Sequence, residues 1–93
     1  METNINWFKN EFIPLMKSGY KLEYSFFEKG DFGNLERVEF EGNGKGGTID
    51  FWSLGWLSIH MVNYNEQTEL LNILLEPHQE KESAFKKLQE LLQ

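Results

Sequence analysis

The sequence predicts an α+β fold, a two-layer sandwich in which an antiparallel five-stranded meander sheet carries an N-terminal and a C-terminal helix packed on one face. Three observations predict it. Apolar residues at helical spacing occur at the two ends of the chain. Five runs of strand-like pattern lie between them. The loops separating those runs are short and rich in Gly or Asn, too short for a crossover helix, so antiparallel neighbours are the simplest arrangement. With 93 residues, 40% of them hydrophobic, the chain can fill one core, and residues 1–93 are read as a single domain.

The first helix is predicted from N-I-N-W-F-K-N-E-F-I-P-L-M-K-S-G, where Ile5, Phe8, Phe12, Leu15 and Met16 fall on one stripe. Thr3 or Asn4 suits the N-cap and Gly19 the closing position. Pro14 removes one helical donor, which predicts a kink or a short second piece. The first strand, Y-K-L-E-Y-S-F, alternates with Tyr20, Leu22, Tyr24 and Phe26 on one face. The second, L-E-R-V-E-F-E, points Val38 and Phe40 inward, and the third is T-I-D-F-W-S. W-L-S-I-H-M-V-N-Y and T-E-L-L-N-I-L-L complete the five. Pro77 fits the first turn of the closing helix, whose stripe is Lys81, Phe85, Leu88 and Leu92, with Ala84 and Leu91 beside it. Glu76, Glu80 and Glu82 sit near its start, where negative charge suits the helix dipole, and Glu82 with Lys86 forms a favourable exposed pair.

The stretch D-F-W-S-L-G-W allows two hairpin registers. A two-residue loop, Leu54-Gly55, places Ile49 and Phe51 on the face of Ser58 and His60, which splits the apolar set. A three-residue loop, Ser53 to Gly55, instead pairs Trp52 with Trp56, Asp50 with Ser58 and Thr48 with His60. Ile49 and Phe51 then lie beside Ile59 and Leu57. A one-residue slip inverts a whole face, so the hydrophobic pattern selects the second register. Gly55 supports it, because a three-residue hairpin places its last residue in the left-handed region. The core face is then Leu22, Tyr24, Phe26, Val38, Phe40, Ile49, Phe51, Leu57, Ile59, Met61, Leu71, Ile73 and Leu75.

The opposite face carries Lys21, Glu23, Arg37, Glu39, Glu41, Asp50, Trp52, Trp56, His60 and Tyr64, with Val62, Leu70 and Leu74 toward the last strand. Trp and Tyr anchor interfaces more often than other residues, and charged neighbours select the partner. Glu39, Glu41, Asp50, Trp52, Trp56, His60 and Tyr64 are therefore the candidate partner-binding residues. The competing explanation is cross-strand packing of the two tryptophans, at about 0.2 to 1 kcal/mol per pair.

Composition narrows the function. There is no Cys, hence no disulfide frame and no thiolate metal site, which points with the start of the chain to a cytoplasmic protein. A net charge of −6 argues against nucleic acid; it suits a basic protein partner, and equally an acidity that serves solubility alone. The chain has no apolar run of membrane-spanning length. G-N-G-K-G-G matches a dinucleotide-loop pattern in letters but precedes a strand rather than a helix, and D-F-G at 31–33 lacks every other kinase element. His60 and His78 lie on different elements without further zinc ligands at suitable spacing. No catalytic, cofactor-binding or metal-binding residue is expected.

The block K-G-G-T-I-D-F-W-S-L-G-W-L-S-I-H-M-V-N-Y, followed by L-L-N-I-L-L-E-P and a closing helix, resembles small immunity proteins of bacterial polymorphic and contact-dependent growth inhibition toxin systems. The likeness covers roughly Gly46 to Pro77, together with size, acidity and architecture. It implies a cytosolic inhibitor that binds and neutralises one cognate toxin domain, often a nuclease, without chemistry of its own. It assigns no site residue by position. The alternative is a non-catalytic homo-oligomeric structural or adaptor domain in which Val62, Leu70 and Leu74 meet a symmetry mate, so monomer and homodimer both stay open. A third possibility is a small enzyme or ligand-binding protein using His60.

Overall fold

In the computed structural model, five strands form one sheet in chain order, each antiparallel to its neighbour: β1 (Lys21–Gly30), β2 (Gly33–Gly42), β3 (Lys45–Trp52), β4 (Leu57–Asn63) and β5 (Thr68–Leu75). Residues 3–93 are described, apart from the side chain of Lys29. A helical segment beginning with α1 (Ile5–Trp7) and a C-terminal helix α2 (Glu82–Leu92) lie on one side of the sheet. The expected two-layer α+β sandwich is therefore present.

Phe51 shows how both helical segments come to share that side. Its ring packs on Phe8 of the first segment (5.9 Å between centroids) and on Phe85 of α2 (6.1 Å). Phe12 meets Phe85 edge to face at 5.4 Å, so the rings join both segments to β3. Val38, Phe40, Ile49, Leu57, Ile59, Met61 and Leu71 complete the buried sheet surface, and Ala84, Leu88 and Leu92 face it from α2. Burial of each large side chain in this set contributes roughly 1.5 to 3 kcal/mol.

The hairpin register follows the three-residue loop. Thr48 pairs with His60, Asp50 with Ser58, and Phe51 with Leu57. The Trp52 N–H donates to Trp56 O (3.1 Å) and the Gly55 N–H to Trp52 O (2.9 Å), while Gly55 has φ of +97°. A side chain at position 55 would be strained in that conformation, which is why glycine closes the turn.

Four details depart from the expectations. The first helix is one α-turn, then a wide π-type segment Phe8–Phe12, then a tight 3-10 turn Ile13–Leu15. Asn4 is its cap, with Oδ1 accepting the Trp7 N–H at 2.9 Å. The Ile13 N–H reaches back to Phe8 O just before Pro14, which has no N–H to continue the ladder. Leu15 consequently leaves the predicted stripe and is exposed.

The closing helix starts at Glu82 instead of near Pro77. The Lys81 ammonium donates to the carbonyls of Pro77 (3.2 Å) and Gln79 (3.1 Å), holding residues 76–79 as a turn. Thus Lys81 serves the loop and does not extend the apolar stripe.

Tyr24 and Phe26 occupy the helix side of β1 but remain 47% and 56% exposed. β1 is an edge strand, and the helical layer stops short of it, reaching Tyr24 only with Lys9 Nζ at 4.6 Å from the ring centroid. Leu70 is the fourth departure. A bulge opposite Met61 and Val62 inserts it as an extra residue, and it packs against the core instead of the open face.

Tyr20 and Lys45 fasten the far end of α2. The Tyr20 hydroxyl donates to Leu92 O (2.9 Å), and Lys45 Nζ donates to Leu91 O (2.8 Å). Both satisfy carbonyls that a helix end leaves without partners, and the ammonium also suits the negative end of the dipole.

Candidate functional site

The sheet face away from the helices holds the predicted site residues in three zones along the strands. The first zone is aromatic. Strand register aligns Phe27, Leu35 and Trp52, and the turn adds Trp56. Phe32, from the β1–β2 turn, stacks on Trp56 at 4.1 Å with 12° between ring planes and meets Trp52 edge to face at 5.4 Å. The Ser53 N–H donates to Asn34 O (2.8 Å) and the Leu54 N–H to Phe32 O (3.3 Å), tying the two turns together. The Asn34 N–H donates in return to Ser53 Oγ (2.9 Å).

The middle zone is an ion pair within the sheet. Arg37 and Asp50 are cross-strand partners, joined through Nε to Oδ1 (2.8 Å) and Nη2 to Oδ2 (3.1 Å). Ser58 Oγ adds a longer contact to Oδ2 at 3.4 Å. Asp50 is only 6% exposed, so its charge is spent on Arg37. The hydrogen bond to Asp50 raises the Arg37 pKa above its already high ordinary value, with the Asp50 and Glu39 charges adding and burial opposing. The guanidinium also lies over Phe27, 5.6 Å from the ring centroid, joining this zone to the aromatic one. Asp50 therefore positions Arg37; it does not present a free carboxylate.

The third zone is acidic. Glu23 faces Glu39 directly across β1 and β2, and Glu41 faces Lys21 on the same side. Lys21, Glu23, Glu39, Glu41, Thr48 and Tyr64 line a shallow cavity of about 240 Å³. Tyr64 crosses β3 over Gly46, where any side chain would strike the phenol. Glu23, Glu39 and Glu41 form no direct ion pair among the described residues.

His60 stands at the margin of this zone, opposite Thr48 and Asn72. Its Nε2 lies 3.0 Å from Glu69 Oε2, so its partner is a β5 carboxylate and not the nearby Asp50. With Leu70 turned to the core, the apolar patch proposed toward β5 reduces to half-buried Val62 and exposed Leu74.

The sequence reading therefore placed Trp52, Trp56, Glu39, Glu41, His60 and Tyr64 on the correct side, with Asp50 there but engaged. It missed Phe32 and the pairing of Glu23 with Glu39. An aromatic residue in a two-residue turn was the available signal for Phe32. Among the described residues, no three His, Asp or Glu side chains are grouped to hold a metal, and no helix is long and apolar enough to cross a membrane. No family model, curated protein or solved structure matches the chain.

Proposed function

We propose that this chain is an immunity-type inhibitor that binds and neutralises one cognate, basic bacterial toxin domain in the cytosol, using the open face of its sheet and performing no chemistry. One observation carries the reading. The helices cover the core strands on one side of the sheet and leave only its β1 edge open, whereas the other side has no covering layer and presents an aromatic cluster beside a carboxylate row in which Glu23 and Glu39 confront each other. Like charges placed directly opposite destabilise a sheet, so this arrangement is costly in isolation and favourable against a cationic surface. The net charge of −6 also speeds encounter with such a partner. Phe32, Trp52, Trp56 and Tyr64 then supply the anchoring area, and Glu23, Glu39 and Glu41 the charge match.

The test is binding and inhibition of the toxin domain encoded beside this chain's gene. Trp56→Ala and Glu39→Lys are expected each to weaken binding by at least roughly tenfold while the fold persists. Unchanged inhibition by both folded variants removes the open face from the mechanism. Asp50→Lys is unsuited to this purpose, since it would leave Arg37 facing a second cation. The alternative reading, a non-catalytic homodimer or larger oligomer, draws on Leu74, which is 55% exposed. A monomer in sedimentation at micromolar concentration disposes of it.

A further inference from the structure

A second, larger cavity opens at the end of the sandwich, where the β3–β4 turn meets the starts of the two helical segments. Its volume is about 600 Å³, within the range of small-ligand sites. Trp52, Trp56, Phe26 and Phe51 give it aromatic walls, and Glu36, Glu80 and Glu82 give it carboxylates. Among the described residues that line it, Lys81 is the one cation, and its ammonium donates to the Pro77 and Gln79 carbonyls. Phe32 stacks on Trp56 but does not itself line the cavity, whereas Trp56 does.

We propose that this cavity is a guanidinium site, which receives one arginine side chain. Aromatic surface and carboxylates in one recess suit that group better than any other side chain. A guanidinium stacks flat on an indole while its edge donates to a carboxylate, whereas an ammonium is a compact, strongly hydrated charge that gains less from a flat wall. The carboxylates exclude an anion, and a neutral ligand would forgo charge pairing with Glu36 and Glu82, while Glu80 already accepts the Ser83 N–H. The cavity adjoins the aromatic zone through Trp52 and Trp56, so an arginine entering it would extend contact on the open face around the end of the sheet. In assigning that arginine to the toxin, the proposal rests on the inhibitor reading; the chemistry of the cavity does not.

The experiment is an NMR titration of the full chain with N-acetyl-L-arginine amide, and in parallel with the neutral, nearly isosteric N-acetyl-L-citrulline amide. Saturable shifts of the Trp52 and Trp56 indole N–H signals and of the Glu36 amide are expected with arginine. Citrulline is expected to bind at least roughly tenfold more weakly. Glu36→Gln, at an exposed strand position, should weaken arginine binding several-fold without altering the rest of the spectrum, and Trp52→Ala provides an independent variant. Equal binding of citrulline, shifts centred on Glu39 and Glu41, or an absence of saturable shifts each overturn the proposal. If arginine fails here while Trp56→Ala and Glu39→Lys still abolish toxin binding, the inhibitor reading stands and the guanidinium site falls. Arginine binding without any effect of those variants on the toxin supports the site and removes the reading.

Discussion

The two faces of this sheet each gather aromatic rings, yet the rings do different work. On the helix side, Phe8, Phe12, Phe51 and Phe85 form a connected cluster, each no more than 6% exposed. On the open side, Phe32 contacts both Trp52 and Trp56 as closely, but the three rings are only partly buried. What differs is the presence of a covering layer. Rings removed from water stabilise the fold, and rings merely in contact leave apolar surface that a partner can still remove from water.

Substitutions on the two faces should therefore diverge in size and finally in sign. Phe8→Ala is expected to cost about 3 to 5 kcal/mol of unfolding free energy in a urea titration, the full penalty of a core cavity. A loss below about 1 kcal/mol would show that the helix side is not the sealed one. In the middle zone, Arg37→Ala leaves the buried Asp50 carboxylate without its main partner and should cost about 1 to 3 kcal/mol. Adding Asp50→Ala should restore part of that loss, and strict additivity in the double-mutant cycle would mean the pair is not coupled.

Tyr20→Phe removes the hydroxyl that holds Leu92 O, at an expected cost of about 0.5 to 1.5 kcal/mol, with faster amide exchange in the last turn of α2. Phe32→Ala should cost at least as much, because its ring contacts contribute about 0.5 to 1.5 kcal/mol on top of the area they bury. Its larger effect is expected on binding of the proposed partner. Glu39→Gln is the smallest change and the informative one: relief of the repulsion from Glu23 should stabilise the sheet by about 0.2 to 1 kcal/mol. A loss of stability instead would mean that Glu39 has a favourable role within the sheet itself.

Sheet order and the β3–β4 register were legible because alternation and Gly55 agree on one solution. Leu70 was not, since Leu70 and Leu71 are adjacent and apolar, and nothing in the sequence says which faces inward until a bulge is placed. The start of α2 escaped because Lys81 looked like a stripe residue while its ammonium binds three-dimensional neighbours in the preceding loop. Tyr24 and Phe26 were assigned to the right side but to the wrong environment, as periodicity reports a face and not what lies over it. The Trp52 and Trp56 pairing was readable from local register; their contact with Phe32 joins two turns distant in sequence, beyond the reach of any local pattern.

The bridge between Arg37 and Asp50 has one more consequence. It lies as a charge-neutral bar between the aromatic zone and the carboxylate zone, with Trp52 and Thr48 four residues apart along β3 on either side of it. At about 3.3 Å per residue, that separation is about 13 Å, too far for direct contact between the two ends. Arg37 lies over Phe27 at one end and feels the Glu39 charge at the other, so the bar is the element through which a change in the rings can reach the charges.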